Sequence, residues 1–130
     1  MDNKKHDTRE IEATNIQFYA LIIVLITSII SIIITYNQKR QLNGNKPIYS
    51  GKEIFNITLF NRILILALSF VFLYVNYVFY EVSKEKGEDL KPYKLQLIAS
   101  ILVIISGVIA LYVVSLSTTE SISDVENPII

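Results

Sequence analysis

Residues 56–81 read NITLFNRILILALSFVFLYVNYVFYE, an almost unbroken apolar run with one arginine, Arg62, near its start. Asn61 sits beside that arginine and Asn76 lies farther along. The run from Ile63 to Tyr80 is long enough to cross a bilayer as a helix, since about 20 residues at 1.5 Å rise span about 30 Å of hydrocarbon. Two further runs match it, Phe18–Tyr36 and Leu95–Leu116. A soluble helix of this length would interrupt its apolar residues with polar ones every third or fourth position. Stretches such as TSIISIIIT and LQLIASILVIISGVIALYVV offer only hydroxyls, Gly, Ala and one Gln. The sequence therefore predicts an all-α fold, an integral membrane bundle of three transmembrane helices.

Composition agrees. In 130 residues, 52% are apolar and 18% charged, and the charges fall mostly outside the three runs. Lys plus Arg and Asp plus Glu balance at 12 each, so no net charge points to nucleic acid. There is no cysteine, which removes disulfides, thiolate metal sites and a cysteine nucleophile from consideration. The first run lacks a small-residue cleavage pattern and reads as an uncleaved span.

Local signals divide the chain. Residues 1–15 form a polar tail of mixed charge, and residues 16–116 form a three-span membrane domain. The helices are expected at about 16–37, 51–86 and 92–117. Gly44 and Pro47 break the chain after the first helix. Ser50 and Glu53 stand at capping-box spacing and open the second, Gly87 suits its end, and Pro92 is tolerated in the first turn of the third. Residues 117–130 read as an acidic, flexible C-terminal tail without Lys or Arg.

Arg62 is the one charge inside a run. If Ile63–Tyr80 fills the hydrocarbon, Arg62 lies at its boundary and snorkels to lipid phosphate on its apolar stem. It is expected to be an interface anchor. Arg62, Ser69 and Asn76 are spaced by seven and share one narrow face. Ser100, Ser106, Gly107 and Ala110 give the third helix a small or polar stripe, and Thr27 and Ser31 do the same for the first. Lipid gives no hydrophobic drive between helices, so such stripes are expected to be packing seams.

Catalytic chemistry is hard to assemble from these residues. His6, the single histidine, falls in the polar tail and reads as a free surface group. Glu81, Glu85, Glu88 and Asp89 cluster near one membrane surface, but Lys84, Lys86 and Lys91 lie among them, so a solvated ion-paired face is expected. No phosphate loop, nucleophile elbow or zinc spacing occurs. The expectation is no enzyme, no cofactor and no metal.

The stretches KGEDLKPYKLQLIASILVIISGVIALYVV, SISDVENP and SGKEIFNITLFNRILIL resemble a group of uncharacterised small three-span membrane proteins of clostridial-type bacteria. The likeness covers most of the chain. It implies a bacterial, three-span protein and carries no activity.

The expected role is a non-catalytic scaffold or accessory subunit of a membrane complex. The alternative is an oligomeric pore- or transport-type protein such as a holin. Expected partners are the lipid bilayer and either a second copy or another membrane protein. Lys4, Lys5, Arg9, Lys84, Lys86, Lys91 and Lys94 lie on one side, against Lys39, Arg40, Lys46, Lys52 and Arg62 on the other. This excess of basic residues leans toward a cytoplasmic N-terminus in the cell membrane.

Overall fold

The computed structural model describes residues 2–117, with side chains from Lys4 onward. It contains three α-helices: α1 (Asp2–Leu42), α2 (Gly51–Glu85) and α3 (Lys91–Leu116). All three are long and apolar enough to cross a membrane. The acidic segment 118–130 lies outside the described residues. The largest departure from expectation is at the start, where α1 is helical from Asp2 and takes in the whole stretch read as a polar tail.

The helix ends follow from side-chain and backbone chemistry. Ser50 accepts the Glu53 N–H at 3.2 Å and so starts α2. Gly44 and Gly87 adopt φ of 78° and 73°, the left-handed conformation that glycine reaches without steric cost. After α1, the Asn45 N–H reaches the Arg40 carbonyl at 2.9 Å and the Gly44 N–H reaches Gln41 at 3.1 Å. After α2, Glu88 reaches Ser83 at 3.0 Å and Gly87 reaches Lys84 at 3.2 Å. Both ends are Schellman caps, which satisfy carbonyls that a terminated helix leaves open.

Packing has a seven-residue period. The buried residues of α1 include His6, Ala13, Ala20, Thr27 and Ile34, each seven from the last. On α2, Ile54, Asn61, Leu68, Val75 and Val82 keep the same step, with Arg62, Ser69 and Ser83 one position on. On α3, Ser100 and Val114 bracket Gly107 in the same way. A strict heptad repeat keeps a seam facing its partner only if the helices cross at a shallow angle, about 20°, with left-handed twist. Outside the seams the large side chains are exposed, among them Ile22, Ile29, Ile32, Ile101, Leu102 and Ile109. In a bilayer these face lipid.

α2 is the centre of the fold. It packs against both α1 and α3, whereas α1 and α3 stay more than 8 Å apart at every Cα. α3 approaches α2 closely at Gly107, where an added Cβ would sit 3.1 Å from Leu66 Cδ1 and 3.9 Å from the Leu66 Cα. The Leu66 methyl group can shift by a few tenths of an ångström, so Gly107→Ala should leave stability nearly unchanged. Gly107→Leu drives a full side chain into the seam and should destabilise by about 1–3 kcal/mol. Denaturation in detergent micelles followed by helical circular dichroism checks both, and a tolerated leucine would mean that α3 does not approach α2 there.

Candidate functional site

Two groups of polar side chains cross the α1–α2 and α2–α3 seams, one at a helix end and one in the apolar zone. The first is built by the unexpected N-terminal turns of α1. His6 Nε2 lies 2.9 Å from Glu85 Oε2. Arg9 donates from Nη1 to both Glu85 oxygens at 3.0 Å. One turn on, Lys86 donates to Glu10 at 2.9 Å. A carboxylate only accepts, so His6 Nε2 carries the proton in this arrangement. The Glu10 carboxylate beside it holds the Lys86 ammonium above the ordinary lysine range.

His6 is thus no free surface histidine. It is 8% exposed and occupies the first seam position of α1, and its Nδ1 is buried without a partner among the described residues. Of the carboxylates that sequence brought together, Glu85 is held by His6 and Arg9, and Asp89 accepts the Lys91 N–H at 3.1 Å near the start of α3. Among the described residues no three His, Cys, Asp or Glu side chains could hold a metal ion. The group serves as a latch between α1 and α2.

The second group lies deeper. Asn61 Nδ2 donates to Ser31 Oγ at 2.9 Å across the α1–α2 seam. Asn76 Nδ2 donates to Ser100 Oγ at 2.6 Å across the α2–α3 seam, while Ser100 donates to the Gln96 carbonyl at 3.0 Å. Thr27 donates to Val24 at 2.7 Å and Ser69 to Ile65 at 2.9 Å, each within its own helix. Those hydroxyls are satisfied locally and leave only acceptor lone pairs for a neighbour. Ala110 is buried and Ser106 half-buried on the same third helix. Thr27, Ser28, Ser69, Phe72 and Val103, drawn from all three helices, line an open groove of about 350 Å³.

Arg62 departs from the anchor expectation. It is only 4% exposed, turned into the protein and not toward lipid phosphate. Its neighbours also set its depth. Asn61 meets Ser31, five residues inside the end of the first apolar run at Tyr36. Leu66 faces Gly107, so Arg62 lies opposite the antiparallel α3 near Leu111, five residues short of Leu116. Five residues of helix are about 7.5 Å, which carries Arg62 well inside the band that α1 and α3 define. The expectation considered α2 alone, and its own run happens to begin at Ile63. Thr58 and Asn61 are 0% exposed, and Thr58 Oγ1 and Asn61 Oδ1 have no partner among the described residues.

Sequence reasoning missed His6, Arg9 and Glu85 as a joined group, and Asn37, whose buried carbonyl oxygen accepts the Ile48 and Tyr49 N–H groups at 2.9 and 3.0 Å. The recurrence of His6, Ala13, Ala20 and Thr27 every seven residues was the available signal. Comparison with family models, with curated proteins and with solved structures gave no match.

Two outcomes test this geometry. Glu85→Ala removes the acceptor of both His6 and Arg9, so trypsin should cut after Lys4, Lys5 and Arg9 faster than in the parent, with cuts elsewhere unchanged. Equal rates would mean that the first turns of α1 are not held by Glu85. Arg62→Lys keeps the charge and loses the planar fork. It should lower thermal stability in detergent by about 1 kcal/mol or more, the scale of a lost buried hydrogen bond. A lipid-facing anchor would tolerate lysine without loss.

Proposed function

We propose that this chain is a multi-pass membrane scaffold or accessory subunit, non-catalytic, with its N-terminus in the cytoplasm of a bacterial cell. The observation that carries this reading is the use made of its charged groups. At the polar end His6, Arg9, Glu10, Glu85 and Lys86 pair with one another across two helices. They stiffen a helical extension of α1 that runs some 14 residues before Ile16, about 20 Å beyond its apolar part. Catalysis needs groups whose proton affinity is tuned and whose reactive atoms are open to substrate. Here the reactive atoms face each other. A rigid, polar two-helix end on an apolar body suits docking to a partner, either another membrane protein or a second copy.

The groove between α1 and α3 favours the pore-type alternative, because several copies could line a passage with Thr27, Ser28 and Ser69. Its hydroxyls donate to their own helices and it carries no charged side chain, features that suit close packing better than an ion path. Reconstituted alone into liposomes, the protein should release no trapped dye and leave an imposed ion gradient intact. Leakage that rises with protein density would overturn the scaffold reading in favour of the pore. Orientation is tested separately. A single cysteine introduced at Lys5 should be shielded from an impermeant thiol reagent in intact cells, and one at Asn43 should react; the reverse pattern would place the N-terminus outside.

A further inference from the structure

The groove between α1 and α3 has a depth, a length and a charged mouth, and each narrows what can occupy it. Its inner end holds Thr27, the midpoint of the apolar run Phe18–Tyr36. Phe72 and Val103 stand there too, each within three residues of the midpoint of its own run, so this end lies near the bilayer centre. Outward, α1 supplies one wall. Val24, Ser28, Thr35 and Lys39 follow at steps of four, seven and four residues and share one face. Ser28 also borders a second open hollow of about 470 Å³, which Thr35, Tyr36 and Lys39 line farther along. The two hollows meet at Ser28. From Thr27 to Lys39 is about 18 Å of helix, ending some 3 Å past the half-thickness of the hydrocarbon, about 15 Å. The path has the span of one leaflet.

We propose that this path binds one phospholipid with an anionic headgroup, its acyl chain in the groove and its phosphate on Lys39. Size selects the chain. One turn of helix, 5.4 Å long and about 10 Å across, displaces about 420 Å³, more than the roughly 350 Å³ of the groove. A fourth helix therefore does not enter it, whereas an acyl chain one methylene wide does. The hydroxyls of Thr27, Ser28 and Ser69 donate to carbonyls of their own helices, so the wall presents no unsatisfied donor to that chain. Charge selects the headgroup. Lys39 is exposed at the mouth, and Arg40 draws Lys46 against the end of α1 by donating to its carbonyl at 2.9 Å. Lys52 is exposed in the first turn of α2, and Glu53 is the one acidic residue between Tyr36 and Arg62. Such an excess of basic groups at headgroup level attracts anionic lipid. Tyr36, 48% exposed, adds an aromatic ring of the kind that settles at this level. The inference concerns what fills the groove, and it stands whether or not the chain serves as a scaffold.

The native chain has no tryptophan, so a single introduced one reports on a chosen wall. Phe72→Trp puts the reporter in the groove, and Phe70→Trp puts it at an exposed position of α2 outside the groove. The full-length protein in detergent is titrated with phosphatidylglycerol brominated near the end of its acyl chains. Quenching of the Phe72→Trp reporter should saturate at one lipid per chain, while quenching of the Phe70→Trp reporter rises weakly without saturating. Phosphatidylcholine carrying the same bromines should need about fivefold more lipid, the worth of one lysine beside an anionic headgroup. Lys39→Gln should raise the half-saturation for phosphatidylglycerol by the same factor and leave that for phosphatidylcholine unchanged. Because Lys39 is exposed, the melting temperature without lipid should not move, which separates lost binding from lost folding. Equal quenching of the two reporters would mean ordinary solvation by lipid and overturn the proposal. Half-saturation indifferent to headgroup charge or to Lys39→Gln would overturn it as well. A Phe72→Trp reporter that becomes shielded from lipid as the chain is concentrated would assign the groove to a second copy instead.

Discussion

The seam along α2 is the constraint on which the rest of this fold depends. In hydrocarbon, burying a leucine against another leucine gains little over burying it in lipid, so helices associate only through close contact and hydrogen bonds. The positions where α2 meets its neighbours accordingly carry small or polar residues: Ala13, Ala20, Thr27 and Ser31 from α1, and Ser100, Gly107 and Ala110 from α3. Most other large aliphatic residues of α1 and α3 face outward, while Ile34 and Val114 pack with Ile54 in a buried cluster. Because both seams are laid on one helix, α1 and α3 need not touch, and the groove between them follows from this arrangement.

A second consequence is that depth becomes a collective property. On α2 alone, Arg62 stands at the edge of an apolar run, and boundary snorkelling is the least costly place for it. Once Asn61 is tied to Ser31, and Leu66 is pressed against Gly107, the neighbouring helices continue their apolar residues past that level. The arginine is carried inward by its partners. Charge within the band is costly enough that it must be organised, and the polar residues next to it, Thr58, Asn61 and Ser31, are among the few the apolar stretches contain.

Much of this architecture was legible in the sequence because the signals were local. The capping of α2 by Ser50, its end at Gly87 and the start of α3 around Pro92 depend on neighbouring residues, and α2 and α3 begin and end within one residue of expectation, whereas α1 also runs five residues past its expected end, to Leu42. The failures share the opposite character. MDNKKHDTREIEATN reads as a solvated tail because it is polar and mixed in charge, and nothing within the stretch shows that Arg9 and Glu10 meet Glu85 and Lys86, 76 residues away. Asn37 reads as the polar end of a span until the return loop brings Ile48 and Tyr49 onto its carbonyl. Arg62 was misplaced for the same reason, since its depth is set by residues on α1 and α3.

The polar pairs also solve a problem that the small-residue seam creates. Ala13, Ala20 and Thr27 recur every seven residues, so α1 could slide along α2 by one heptad, about 10 Å, and present a nearly equivalent surface. Packing alone would tolerate several registers. The latch at His6, Arg9 and Glu85 and the bond between Ser31 and Asn61 remove that freedom. From His6 to Ser31 is 25 residues, and from Glu85 back to Asn61 is 24, so both ties are met in one antiparallel register and both are lost in the next. A single polar group at a seam position specifies register in coiled coils at some cost in stability. Here two such groups stand at opposite ends of a long contact, and the one farther along the chain adjoins Arg62. Sliding α1 would therefore break the latch and strip Ser31 from Asn61 in the same movement, which ties the polar end of the molecule mechanically to the level of its buried charge.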